Sequence, residues 1–430
     1  MEYLERIADA ELKRRLSAMG AVLIKGPKWC GKSTTAAQQA KSVIWLQDPD
    51  NREEYMATGL TTPSVLLRGG NPRLIDEWQD IPLVWDAVRM EVDRRSKPGQ
   101  FILTGSNAVD QSKIMHTGTG RISRMNMLPM SLWESKESTG EVSLQSLFEN
   151  PNQDIEGISK MSVADIIFAA CRGGWPATVH ATSDEDKLLT AKDYVDSICE
   201  TDISNVDKVE RNPKLARRIL RSYARNISTY ALTTSILADV IADDNISCSR
   251  KTLDDYITAL EKLFVIQDLD AWCPAIRSRT AMRSTPKRCF CDPSVAVAAL
   301  DMTPEALQMQ LKTFGFIFEQ LCIRDLRAFT QNIYSSHLSY YHDRYGLEAD
   351  IVLHMGGERY ALIECKLGSH EIDDGAEHLL ELIRLIKEHN KKEKQMPIRE
   401  PDVLMILTGG LYAYRRKDGV YVVPIGCLKP

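Results

Sequence analysis

No stretch of the 430 residues approaches the run of about 20 apolar side chains that a membrane-spanning helix needs. That excludes a helical membrane protein. Nor is there a recognisable signal peptide, an internal repeat or a long low-complexity segment. Basic charge is not in excess: 54 Lys and Arg face 59 Asp and Glu, for a net charge of −5. No protein-wide positive field therefore advertises nucleic-acid binding, and any such contact has to come from a local patch. The ten cysteines are scattered, and the closest pair, Cys289 and Cys291, lacks a second pair at metal-binding spacing. A zinc site is not expected, and unpaired cysteines without a signal peptide point to a reducing cytosol. What is present is an ordinary globular composition, 43% hydrophobic and 26% charged. The length suits roughly two to four domains.

The most informative stretch is Gly26-Pro27-Lys28-Trp29-Cys30-Gly31-Lys32-Ser33. It follows an apolar run, Ala21 to Ile24, and precedes Thr34-Thr35-Ala36-Ala37, which reads as a helix start. Strand, glycine-framed loop and helix in this spacing predict a phosphate-binding P-loop. The glycines let backbone N–H groups turn toward a pyrophosphate, and the helix points its positive end there. Lys32 is expected on the β- and γ-phosphates, and Ser33 on Mg²⁺. Residues 26 to 34, through Thr34, form the expected nucleotide cradle. Downstream, Arg73-Leu74-Ile75-Asp76-Glu77 is a short apolar strand ending in two carboxylates. Asp76 fits the acid that holds Mg²⁺ through water, and Glu77 the base that orients an attacking water.

Residues 1–20 have the spacing of an amphipathic helix. Strands are expected over Val43 to Leu46 and Gln100 to Thr104, and helices over Tyr55 to Leu60 and Trp85 to Arg95. The polar end of the Gln100 strand should carry a γ-phosphate sensor, with Ser106 first and Thr104 and Asn107 behind it. Alternation of this kind predicts a parallel sheet with nucleotide at its carboxyl ends. Arg121 or Arg124 is either an arginine finger for a neighbouring subunit, which would need a homo-oligomer, or a solvated or structural arginine. Residues 135–160 read as an insertion or linker, and Gly173-Gly174-Trp175-Pro176 as a tight turn without a readable function.

From about Asn212 the pattern becomes a basic helix, two further helices and a ribbon, which is a winged-helix order. Arg250 and Lys251 would open its recognition helix. Arg277, Arg279, Arg283, Lys287 and Arg288 cluster in the ribbon and could meet DNA phosphates. Further on, a helix carries Glu319, and two strands around Gly356-Gly357 carry Asp350 and Glu364-Cys365-Lys366. A hairpin there sets Asp350 opposite Glu364 if its loop has an odd number of residues, and Lys366 shares the Glu364 face. Glu319, Asp350 and Glu364 would hold a second Mg²⁺ or Mn²⁺, with Lys366 beside it. A structural remnant of that fold without chemistry is the alternative.

With these stretches in view, the chain resembles the prokaryotic AAA-type ATPases that carry a C-terminal domain of unknown function. The resemblance rests on the P-loop, Ile75-Asp76-Glu77-Trp78-Gln79, Leu103-Thr104-Gly105-Ser106 and Gly120-Arg121-Ile122. It continues through Gly173-Gly174-Trp175-Pro176, Asp292-Pro293-Ser294, Gly315-Phe316-Ile317-Phe318-Glu319, Glu348-Ala349-Asp350 and Leu362 to Gly368. It implies ATP and Mg²⁺ binding, a winged-helix middle and a restriction-endonuclease-like C-terminal domain. Asn205 departs from the basic residue that relatives often carry there. The expected architecture is α/β: an ATPase domain over 1–134, a linker and helical segment over 135–210, a winged-helix module over 211–300 and a nuclease-like domain over 301–430. The expected function is a cytoplasmic Mg²⁺-dependent ATPase coupled to nucleic acid. An ATP-gated nuclease and a non-catalytic ATP-dependent regulator are the alternatives.

Overall fold

The computed structural model describes residues 2–105, 117–242, 247–274, 285–331, 333–395 and 397–430. It opens with α1 (Ile7–Ala18), then alternates through β1 (Ala21–Lys25), α2 (Lys32–Gln39), β2 (Ser42–Trp45), α3 (Arg52–Thr61), β3 (Arg73–Asp76), α4 (Leu83–Arg95), β4 (Phe101–Thr104) and β5 (Ile122–Asn126). Short elements follow: β6 (Val142–Ser143), α5 (Leu144–Glu149) and β7 (Gly157–Ile158). The middle is helical: α6 (Val163–Arg172), α7 (Pro176–His180), α8 (Asp184–Ser197), a π-turn at Ile198–Asp202, α9 (Ile203–Asn205), α10 (Pro213–Arg225), α11 (Thr233–Val240), α12 (Arg250–Lys262), α13 (Pro293–Ala299) and α14 (Pro304–Gln308). The last part holds α15 (Leu311–Thr330), β8 (Ser336–His342), β9 (Glu348–Met355), β10 (Tyr360–Lys366), α16 (Ile372–Lys392), β11 (Val403–Thr408), β12 (Tyr412–Arg415), β13 (Tyr421–Pro424) and β14 (Leu428–Lys429).

The first sheet is parallel, in the order β2–β3–β4–β1–β5. Its inner strands β1 and β4 are near-continuous apolar runs because helices cover both faces. Ala21, Leu23, Ile75 and Leu103 pack with Trp85 and Val88 of α4. Val22, Ile24, Leu74 and Ile102 pack with Leu12 of α1 and Ala36 of α2. The register sets Thr104 beside Ile24 on one side and beside Asp76 on the other. The carboxyl ends of β1, β4 and β3 therefore lie together, as alternation predicts.

The polar segment expected as a linker is instead tied to the far end of the chain. β6 pairs with β14, and β7 pairs with β12. The β7 pairing makes it one edge of a second, mixed sheet in the order β7–β12–β13–β11–β10–β9–β8. This sheet lies between α15 and α16. Ile351, Leu353, Ile363 and Met405 join the cluster that holds Phe314 and Phe318 of α15. The alternate residues Val352, Leu362, Leu404 and Ile406 join Ala376 and Leu379 of α16. In the middle region, α12 leads into a short antiparallel ribbon bridged at Ile266–Phe290 and Leu269–Lys287.

Candidate nucleotide site

β1 is buried and apolar, so it fixes where the following loop begins. Gly26 is required by a close approach: a Cβ there would sit 2.1 Å from the Met127 carbonyl oxygen. Gly31 caps α2 in the left-handed region at φ 97°. Lys32 is buried and folds back, its Nζ donating to the carbonyls of Gly26 at 3.1 Å and Pro27 at 2.8 Å. The Ser33 hydroxyl donates to Asp76 Oδ1 at 2.5 Å, and Thr104 Oγ1 donates to the same oxygen at 2.6 Å. The first turn of α2 and the end of β4 therefore converge on the carboxylate that ends β3. A hydroxyl and a carboxylate oxygen in contact are hard donors that suit Mg²⁺.

Glu77 follows in the left-handed region at φ 53° and accepts a hydrogen bond from Gln79. Burial raises its pKa above the usual glutamate range, Asp76 adds to the rise, and the Gln79 bond opposes it. Thr104, placed with Asn107 behind Ser106 as the sensor, touches Asp76. Ser106 and Asn107 lie outside the described residues. Arg121 is not at this site. It precedes β5, whose Ile122 lies beside Ala21 at the opposite end of β1, and it pairs with Asp93 at 2.8 Å.

What surrounds the loop could not be read from local spacing. Arg6 holds it from one side, donating to the carbonyls of Cys30 and Leu128 and pairing with Glu134. Lys28 reaches Asp202 of the π-turn at 2.6 Å. Trp29, at φ 65°, lies against Tyr194 of α8 with ring centroids 5.5 Å apart, and Tyr194 against Trp175 at 4.4 Å. The Gly173 to Pro176 turn, functionless in the sequence, lies beside the loop: a Cβ on Gly31 would be 3.3 Å from Pro176. Gly174 can sit there only without a side chain, since a Cβ would lie 2.1 Å from the Met130 carbonyl oxygen. Gly174→Ala is expected to displace this turn and lower the melting temperature by several degrees in a thermal scan.

The three carboxylates expected at a second metal site do not all meet. Ile351 pairs with Ile363, so the register does carry Asp350 opposite Glu364. Glu364 and Lys366, however, face α16: a Cβ on Gly375 would lie 3.5 Å from the Glu364 Cβ. Glu319 comes from α15, on the other side of the sheet. There Lys287 takes the place of a cation. Its Nζ donates to Glu319 and to the Asp350 carbonyl, and stands 3.6 Å from Asp350 Oδ1. Burial alone would lower the Lys287 pKa, but Glu319 and Asp350 more than offset it, so the ammonium stays charged. Among the described residues no group of three or more His, Cys, Asp or Glu is arranged to hold a metal ion. Asp350 and Glu364 thus keep the expected register, with Lys366 2.6 Å from Glu364, while Glu319 faces Lys287 instead of joining them.

The expected nucleic-acid residues also divide. Lys287 and Arg288 are buried, with Arg288 paired to Asp268 at 2.8 Å, so neither can meet a phosphate. Arg250 and Lys251 are exposed at the start of α12, where Arg250 pairs with Asp254. Arg277, Arg279 and Arg283 lie outside the described residues.

Residues 19–136 match the family model of an AAA domain. Residues 163–306 and 314–428 match two further models, each described as a domain of unknown function (DUF8612 and DUF4143). An uncharacterised protein of Mycobacterium tuberculosis is 24% identical over 357 residues, 83% of this chain and 72% of that protein. Its counterpart in Mycobacterium bovis matches equally. Among solved structures, a Walker-type ATPase of Pyrococcus abyssi is 14% identical with a TM-score of 0.43, over 69% of this chain and 96% of that one. The replication initiator DnaA bound to AMPPCP and single-stranded DNA is 14% identical with a TM-score of 0.28, over 59% of this chain and 86% of that one. No helix among the described residues is long and apolar enough to cross a membrane. This chain therefore carries an AAA-type P-loop nucleotide-binding domain, followed by regions that match two domains of unknown function.

Proposed function

We propose that the protein is a Mg²⁺-dependent ATPase whose nucleotide state is passed through its helical middle to the C-terminal domain, and that nucleic acid regulates it. One observation carries the reading: the hydroxyls of Ser33 and Thr104 meet on the Asp76 carboxylate at the open end of a parallel sheet. In this reading Ser33 and Asp76 hold the metal side, with Asp76 acting through water. Lys32 leaves the loop carbonyls for the β- and γ-phosphates. Bound Mg²⁺ would neutralise charge on those phosphates. Glu77 accepts a proton from the attacking water, and γ-phosphate sensing falls to Thr104 or to Ser106.

Glu77→Gln tests the base. Turnover should fall by about 10²–10⁴ while binding of a fluorescent ATP analogue is retained. Since the carboxylate is the active form, wild-type kcat should fall as pH drops through a value above the ordinary glutamate range. Hydrolysis that is unchanged in Glu77→Gln would remove this role.

Transmission rests on Lys28 and Trp29, two loop residues that touch the middle region. Asp202→Asn frees the Lys28 ammonium for phosphate and should tighten ATP binding a few-fold in the same titration. Equal affinity in the variant would remove Lys28 as a link. The three helices α10 to α12 with their ribbon support a winged-helix reading of the middle. For the C-terminal domain, Lys287 between Glu319 and Asp350 favours a non-cleaving partner or docking role over an ATP-gated nuclease. Nicking of supercoiled DNA with Mg²⁺ or Mn²⁺ and ATP, lost in Asp350→Ala, would reverse that preference.

A further inference from the structure

A cleft of about 490 Å³ lies between α8 and α10, on the side of α8 away from the P-loop contact. Its walls carry Lys192 from α8 and Lys214, Arg217, Arg218, Arg221 and Arg225 from α10. They are gathered because α10 is strongly amphipathic. Leu215, Ile219, Leu220 and Tyr223 are buried, which leaves the basic residues on the outer face. The cleft's own carboxylates, Asp196, Asp239 and Asp301, are fewer. They orient three of the arginines: Arg217 to Asp196, Arg221 to Asp301 at 3.1 Å, and Arg225 to Asp239 at 3.4 Å. Lys192 and Lys214 carry no ion pair among the described residues.

We propose that this cleft binds the phosphodiester backbone of a single nucleic-acid strand and reports its presence to the P-loop. Arg217, Arg221 and Arg225 recur every four residues, about 6 Å apart along the helix. That is the length scale of one nucleotide step. The arginines' ion pairs are exposed, and such pairs are worth only about 0–1 kcal/mol. Exchanging a carboxylate for a phosphate, which a guanidinium can grip with two hydrogen bonds, is therefore cheap. Val195, Ala242, Ala298 and Ala299 add small apolar surface, and no described lining residue is aromatic. Backbone contact without base stacking predicts binding that is indifferent to sequence.

The link to the nucleotide runs through one short element. Arg217 also contacts Glu200 at 3.1 Å, and Glu200 lies in the π-turn whose Asp202 holds Lys28 of the P-loop. On α8, Asp196 reaches Arg217 while Tyr194 lies against Trp29. A strand that takes Arg217 from Asp196 and Glu200 releases the same turn that grips the loop.

This inference names the site for the nucleic-acid regulation proposed above and rests on that reading. The test is fluorescence anisotropy of the full chain with labelled oligothymidylate, with Mg²⁺ and ADP present throughout to fill the P-loop. The wild type should bind, and more weakly as salt rises. The pair Arg217→Glu with Arg221→Glu should weaken binding at least tenfold. Lys214→Glu, which breaks no ion pair, should weaken it about threefold. Strand-stimulated ATP hydrolysis should fall in parallel. Unchanged affinity in all these variants would overturn the site and leave nucleic-acid regulation standing. A wild type that binds no strand would overturn both. Displacement of the label by low concentrations of pyrophosphate would assign the cleft to a free phosphate compound and overturn the strand assignment.

Discussion

Lys32→Ala is expected to abolish ATP turnover, with a loss of at least about 100-fold in kcat/KM, the scale of removing one preorganised donor to developing charge. The side chain is buried, and its present partners are the loop's own carbonyls at Gly26 and Pro27. Those bonds keep the ammonium inside the loop, a short movement from the phosphates. Alanine removes both the positive charge and the loop's internal tie. The second loss carries a stability cost of about 1–3 kcal/mol for carbonyls left without a partner. A thermal melt therefore accompanies the rate measurement, and the loss of rate should far exceed any loss of folded protein at the assay temperature. Turnover that survives in a folded Lys32→Ala protein would leave the nucleotide assignment without support.

Lys287→Ala should give the largest stability change, about 3–5 kcal/mol, because it strands buried carboxylates without their cation. Lys287 is almost fully buried, Glu319 and Asp350 flank it, and the rings of Tyr230 and Tyr340 lie 5.4 and 5.7 Å from its Nζ. Replacing the charge pair with apolar residues of similar volume, as in Lys287→Met with Glu319→Leu, should recover most of the loss. Urea unfolding of the three proteins measures it. A single variant as stable as the wild type would mean that the ammonium is not the resident cation. Manganese titration provides the complementary check: if Lys287 fills the metal's place, the wild-type C-terminal domain should show no Mn²⁺ binding.

The nucleotide half was legible because its signal is local. In a P-loop the strand, the glycines, the lysine and the hydroxyl are neighbours in sequence, so backbone stereochemistry alone brings them together. The acidic strand end at Asp76 was legible for a related reason, since parallel strands present their carboxyl ends at one edge. The sensor was expected at the polar end of the Gln100 strand, where Thr104 bonds Asp76. Strand register, which sets Thr104 beside Asp76, cannot be read from one strand. The basic ribbon failed at Lys287 and Arg288 because charge suggests exposure, and only their partners Glu319 and Asp268, far away in sequence, reveal burial.

By itself, the sequence determined the P-loop, the order of strands and helices around it, the absence of an apolar run long enough to span a membrane, and the hairpin that carries Asp350 and Glu364. Each follows from spacing within a few residues or within one hairpin. Tertiary structure alone decided that residues 142–158 pair with the C-terminal strands and that Lys287 stands between Glu319 and Asp350. It also decided that Lys28 and Trp29 lean on α8 and its π-turn, and that the arginines of α10 line a cleft. These depend on which faces of distant elements meet. That choice is made by burying apolar area over the whole chain, and a local pattern carries no record of it.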